Sequence, residues 1–280
     1  MLMPIPDLLI NIPQPPKQLY CMGANIEDLL KKPRLAVVGS RKVTNYGRQV
    51  TTDLVRELAG QGVVIISGLA FGVDALAHQA ALDAGGLTIA VLPSPIDNIA
   101  PRTNQRLAER ILANGGVLIS EYPSGTPILK HQFVERNRLV CGLADAVLLT
   151  EAAKKSGSLH TAQFALEQGR EVLAVPGNIN SIMSEGTNNL IKTGATPVTS
   201  ASDVLYALNL DVAALTRHKP LKGQNEAEQA IINLLQAGLS DGEGLQEASN
   251  LSVSIFNQTL TMLEITGGIR STGANQWALC

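Results

Sequence analysis

Four stretches of the sequence combine glycine, hydroxyl and cationic residues in short turns that suit phosphate. They are Gly39-Ser40-Arg41, the run from Ser67 and Gly68 through Ala70 to Gly72, the turn Ser156-Gly157-Ser158 continuing to Thr161, and a last pair formed by Pro176-Gly177 with Gly186-Thr187-Asn188. Each follows a short apolar run, and several lead into helical patterns, whose N-terminal amides attract anions. In an open α/β sheet ligands bind outside the carboxyl ends of the strands, so the four turns are expected to share one edge. One such turn alone reads more readily as a tight strand–helix junction. Four on one edge point to a phosphate site.

A second cluster is Lys130-His131-Gln132-Phe133-Val134-Glu135-Arg136-Asn137-Arg138. Lysine supplies a point charge for phosphate and arginine a planar fork. Phe133 offers a face for a nucleobase. With a helix starting near Val134, Lys130 and Phe133 would lie in the loop before it. The competing reading is structural, with Arg136 and Arg138 in ion pairs and Phe133 in the core.

Other groups carry less. Asp74 and His78 share a helix face but have no third ligand, so no metal is expected. His160 follows the Ser-Gly-Ser turn and fits either phosphate or solvent. Glu151 stands at the expected site edge, where its structural reading is an acceptor for loop amides. Gly238–Gly242 matches GxSxG, but a helical pattern precedes it where a nucleophile elbow needs a strand. Neither GxGxxG nor GxxxxGK[ST] occurs, which lowers the dehydrogenase and NTPase readings. No catalytic residue and no cofactor is assigned.

The elements that must position these groups alternate. Apolar runs at Leu35–Val38, Val63–Ile66, Leu87–Leu92, Val117–Ile119, Ala146–Leu149 and Val172–Val175 are nearly continuous, as in strands covered on both faces. Helical spacing links Val50, Leu54, Val55 and Leu58, then Leu107, Ile111 and Leu112, then Phe164, Ala165 and Gln168, a helix that Ser158 could cap. The expected fold is α/β: an extended, Rossmann-like, doubly wound and mostly parallel sheet with right-handed crossovers. Residues 1–32 read as a Pro-rich irregular lead-in, 33–208 as this domain and 209–224 as a linker holding Arg217-His218-Lys219-Pro220. Residues 225–280, with two helical patterns and then Gly267-Gly268 before a short terminal run, read as a small winged-helix-like domain.

Composition bounds the classes. The 280 residues are 45% hydrophobic and 16% charged, and mean hydropathy is +0.13, which excludes a disordered or collagen-like chain. With 22 cations against 24 anions, the net charge of −2 does not announce a nucleic-acid partner. Nine aromatic residues argue against a chain that stacks bases on many rings. Splitting the charge sharpens this: residues 1–220 hold 20 of the cations and 18 of the anions, so the last sixty carry −4. Three widely spaced cysteines, Cys21, Cys141 and Cys280, fit a reducing compartment. The proline-broken N-terminus is not a signal peptide, and no apolar run spans a membrane. A cytoplasmic protein without membrane contact is expected.

The ordered motifs AVVGSR (36–41), Tyr46-Gly47, SGLAFGVD (67–74), Ala77-His78, TIAVL (88–92), ISE (119–121), Phe133 with Arg136-Asn137-Arg138, Glu151 with 156–162, GREVLAVPG (169–177) and GTNNLIKTGA (186–195) resemble the DNA-processing protein A (DprA/Smf) family. The resemblance runs over about residues 15–208, starting with PPKQLYCMG (15–23), and loosely over the tail. It implies a non-enzymatic recombination mediator of natural transformation that binds and protects single-stranded DNA, loads a RecA-type recombinase and forms a homodimer. It implies a pocket of Arg41, Lys130 and Phe133, lined by Ser67 and Gly68, with Asn137, Arg138 and the 156–161 turn shaping the same edge.

Three departures stand out. The loop Leu92-Pro93-Ser94-Pro95 replaces a Gly-rich turn, residues 1–14 do not carry the N-terminal helical domain of many members, and the tail's segment Ser252–Leu263 has no Lys or Arg with which to read a duplex. The alternative is a Rossmann-like enzyme that binds or hydrolyses a nucleotide or sugar phosphate. Against it, Leu190 stands where a PGGxGTxxE motif needs its glutamate. A dinucleotide-dependent oxidoreductase ranks below both.

Overall fold

The computed structural model describes residues 2–210, 223–273 and 275–279. The chain divides into two compact units, Met1–Val212 and Ala213–Cys280.

The first unit is built on nine strands: β1 (Leu2–Met3), β2 (Leu19–Gly23), β3 (Arg34–Val38), β4 (Val64–Ser67), β5 (Thr88–Val91), β6 (Val117–Ser120), β7 (Ala146–Leu149), β8 (Glu171–Ala174) and β9 (Thr196–Pro197). Their order in the sheet is β1-β2-β6-β5-β4-β3-β7-β8-β9. From β6 to β9 every pairing is parallel. The helices are α1 (Asp7–Ile10), α2 (Ile26–Leu30), α3 (Asn45–Gly60), α4 (Val73–Asp83), α5 (Gln105–Ala113), α6 (Gln132–Glu135), α7 (Asn137–Leu143), α8 (Ser158–Glu167), α9 (Glu185–Lys192) and α10 (Ala201–Ala207).

The strands are apolar throughout because both faces are covered. Ala36, Val38, Val64, Ile66, Val147 and Leu149 pack with Leu139, Val140 and Leu143 of α7 and Ala162 and Ala165 of α8. On the opposite face Ala90, Leu92 and Leu118 meet Leu82 of α4 and Ala108 and Ile111 of α5. At roughly 25 cal/mol per Å² of buried apolar surface, these two layers dominate folding.

The lead-in departs from expectation. Residues 1–32 are not irregular throughout: β2 pairs antiparallel with β6, Tyr20 opposite Ser120, and β1 pairs antiparallel with β2. Leu9, Leu19, Ile26 and Leu29 are buried in the main core. The proline cluster hides this strand, which carries only five residues and ends on Gly23 at φ 120°. The loop after β5 is also drawn inward. Ser94 is buried, its Oγ accepts from Ala100 N at 3.1 Å and its carbonyl accepts from Ser120 Oγ at 2.7 Å.

Among its described residues the second unit has three helices, Glu226–Gln236, Gly242–Ser249 and Val253–Ile265, then a hairpin of Ile269–Gly273 and Gln276–Leu279. Two helical patterns were expected. The middle helix was hidden because Gly242 and Gly244 open it. Asn225, Asp241 and Ser252 cap the three starts, each accepting from a backbone N–H in the first turn. So Gly238–Gly242 ends at a helix start with no strand before it. Most of the expected linker, including Arg217–Pro220, lies outside the described residues.

His78 on α4 is fully buried against β5. Thr88 Oγ1 donates its one proton to Ile65 O at 2.7 Å, so His78 Nδ1–H must donate to Thr88 Oγ1, also at 2.7 Å. Burial, with the nearby Arg136 charge second, lowers the imidazole from 6.5 to about 3. The unfolded chain therefore binds the extra proton between those values, and stability falls as pH drops below about 6.5, by up to about 1.4 kcal/mol per pH unit. Urea melts across that range are expected to show a steeper loss for the native chain than for His78→Gln.

Candidate functional site

The sheet reverses its strand order between β3 and β7, and the crevice at that switch point holds a cavity of about 490 Å³. Its walls are the loop after β3 (Val38–Lys42), the loop after β7 with the start of α8 (Ala153, Lys155–Ser158, Thr161), and α6 with the turn beyond it (Phe133, Val134, Arg136, Asn137). Ala70, Asp74 and Met183 complete it.

The loops are stitched to one another. Ser40 N donates to Glu151 O at 2.7 Å, and Val73 N donates to Ser40 O at 3.1 Å. Gly39 is required there, since a Cβ would lie 2.8 Å from Glu151 O and 2.7 Å from Val73 Cγ2. Gly72, at φ 76°, presses on Ser40, where a Cβ would come within 2.1 Å of the carbonyl oxygen. Glu151 is the structural acceptor. Its carboxylate takes Thr44 N at 2.9 Å and Thr44 Oγ1 at 2.5 Å, and it fills the space a side chain at Gly47 would need.

Arg41, Lys42 and Lys155 supply the positive charge. All three are exposed, and none has an ion pair among the described residues. The Arg41 guanidinium lies 5.6 Å from the centre of the Phe133 ring, within cation–π range. Thr161 Oγ1 is buried in the wall with no hydrogen-bond partner. A cavity with an aromatic face and three cations suits a nucleotide phosphate with its base stacked nearby.

Of the residues singled out in the sequence, the cavity gathers Gly39, Ser40, Arg41, Ala70, Phe133, Arg136, Asn137, Ser156, Gly157, Ser158 and Thr161. Several of these are committed to the protein. Arg136 is only 3% exposed and donates to Gly68 O and Val91 O, while its Nε donates to Asn137 Oδ1. Asp74, which accepts from Gly68 N at 3.1 Å, faces it. Burial lowers the Arg136 guanidinium to about 10 and pushes the Asp74 carboxyl up despite the neighbouring charge. Arg136 is thus a strut beneath the cavity.

Arg138 is outside the cavity, paired with Glu121 at 2.6 Å. Both arginines serve the structure because their side chains run into the interior, Arg136 from the turn between α6 and α7 and Arg138 from the first turn of α7. Ser67 is buried and donates to Val37 O, and Gly68 is spent on Asp74 and Arg136, so neither lines the cavity. Phe133 lies within α6, which begins at Gln132, ahead of the expected Val134. Lys130 is exposed and its carbonyl accepts from Phe133 N at 3.4 Å, but its side chain is not in the cavity wall. Ser158 is the first residue of α8 and not its cap; its N–H is met by Ser156 Oγ at 3.4 Å.

The fourth turn stands apart. Gly177 lines a neighbouring hollow with Thr44, Tyr46 and Asn178, and Asn188 makes two hydrogen bonds to the Gly177 backbone. Gly186 N donates to Ala152 O at 2.7 Å, and Thr187 Oγ1 donates to Ser184 O at 3.2 Å. These residues brace the rim.

Sequence reasoning missed Lys42 and Lys155. Each directly adjoins a turn already singled out, and that adjacency was the available signal.

Fold and cavity together define a doubly wound α/β protein with a basic, aromatic-bearing binding pocket at its switch point. The chain belongs to the family described as DNA recombination-mediator protein A, whose model matches residues 4–209. It is 49% identical over 175 residues to Protein Smf of Escherichia coli, covering 62% of this chain and 47% of that protein. It is 41% identical over 203 residues to DNA processing protein DprA of Bacillus subtilis, covering 72% and 68%. A solved structure of DprA from Streptococcus pneumoniae aligns with TM-score 0.67 at 43% identity, over 72% of this chain and 70% of that one. One of DNA processing protein A from Helicobacter pylori, described for its single-stranded DNA binding mode, aligns with TM-score 0.67 at 36% identity, over 74% and 94%. The chain spans about half to two thirds of the length of the curated relatives it matches.

The division between strut and ligand is testable by melting. Arg136→Met strands the buried Asp74 carboxyl and two carbonyls, a loss of about 3–5 kcal/mol. Arg41→Ala removes a solvent-facing charge and is expected to leave the melting temperature within a degree or two.

Proposed function

We propose that the switch-point cavity binds single-stranded DNA, with phosphates held by Arg41, Lys42 and Lys155 and a base stacked on Phe133. The observation that carries this reading is the three exposed cations, without ion pairs among the described residues, around one aromatic face. The Helicobacter pylori relative supports it through its described single-stranded DNA binding. Lys130, at the start of the turn that leads to Phe133, adds a contact outside the cavity. The protein acts as a DNA-processing mediator in natural transformation, protecting incoming strands and delivering them to a RecA-type recombinase as a homodimer in the cytoplasm. The reading assigns no catalysis: Asp74 is the one carboxylate among the described lining residues, and it is committed to Gly68 N and Arg136. No described helix is long and apolar enough to cross a membrane. The C-terminal unit, read as a winged-helix module, serves protein contacts, because its helix Val253–Ile265 carries no cation.

Fluorescence anisotropy with oligo-dT at several salt concentrations tests this. Affinity should fall with salt, and Arg41→Ala or Lys155→Ala should weaken binding while flattening the log–log salt slope by about 0.7 per lost phosphate contact. Unchanged affinity and slope in both variants would refute the assignment.

A further inference from the structure

Phe71 is an aromatic side chain that the cavity does not use. It is 47% exposed and belongs to no apolar cluster among the described residues. Phe164 and Phe256 by contrast pack into cores. The loop that carries Phe71 is held from three directions. On one side Leu69 is fully buried at φ 55°, and Asn104 Nδ2 donates to Leu69 O at 2.9 Å and Ala70 O at 3.3 Å. On the other, Gly72 lies so close that a Cβ there would come within 2.8 Å of Arg41 Cα. Beneath, Gly68 is tied to Asp74 and Arg136. The residue before Phe71 lines the cavity and the residue after it abuts the Arg41 backbone. Arg102, two residues before Asn104, is exposed and has no ion pair among the described residues.

A rigid loop that turns a large ring to solvent beside a cationic pocket has the properties of a stacking platform. Little side-chain or backbone entropy is lost when a base lands on it, and every base has a face to offer. We propose that Phe71 is a second base-stacking platform, which engages a nucleotide of the strand beyond the one on Phe133, with Arg102 placed to meet the adjoining phosphate. This rests on the single-stranded DNA reading of the cavity. It adds that the bound strand runs across the loop after β4.

Oligo-dT of increasing length separates the two ideas. Native chain, Phe71→Leu, Phe71→Trp and Arg41→Ala are compared by anisotropy. The expected result is that Phe71→Leu binds the shortest oligonucleotides like the native chain and loses about five- to tenfold on longer ones. Phe71→Trp should keep native affinity, and its indole emission, read with Trp277→Phe as background, should be quenched by dT. If native chain binds and Arg41→Ala is impaired, but Phe71→Leu matches native at every length, the platform is refuted and the cavity stands. If native chain binds no oligo-dT, both fall.

Discussion

The buried guanidinium of Arg136 is the constraint on which the site depends. It reaches from the junction of α6 and α7 to the carbonyls of Gly68, just past β4, and Val91, the last residue of β5, and it faces Asp74 at the start of α4. One side chain thus fixes the ends of two adjacent parallel strands and the first turn of a helix. It is charged and almost wholly buried, so its cost is offset only while every partner stays in place. With this floor set, the loops after β3 and β7 close over the switch point. The cations they carry, Arg41, Lys42 and Lys155, are left exposed to solvent.

That arrangement explains how a chain with net charge −2 presents a cationic pocket. The excess is local: residues 1–212 balance at 18 cations and 18 anions, so the pocket's charge comes from where the cations stand and not from the unit's total. It also explains why few aromatics suffice. A platform needs one well-placed ring on backbone that does not move, and the loops here are pinned by glycines at Gly39 and Gly72 and by backbone hydrogen bonds between them.

The parallel strands β3 to β8 were legible because burial on both faces leaves nearly unbroken apolar runs, and their boundaries held to within a residue or two, whereas the two-residue β9 leaves no such run. Strand β2, which lies between β1 and β6, was not legible, because Leu19–Gly23 is short, sits among prolines and has exposed residues at one end. The site loops were legible from their glycines and hydroxyls. Their division of labour was not. Arg41 and Arg136 are the same residue type in equally suggestive contexts, and what separates them is whether the side chain runs outward or into the protein. Gly177, Gly186 and Asn188 resemble phosphate ligands for a related reason: a tight bracing turn and an anion-binding turn require the same small, hydrogen-bonding residues.

The central claim is that nucleic acid lies on the switch-point cavity of the first unit. Photo-crosslinking of a bound thymidine oligonucleotide, followed by mass-spectrometric mapping of the modified peptides, locates it directly. Adducts on the peptides that contain Phe133 and the loop after β3 are predicted. Adducts confined to residues 223–280 would contradict the account.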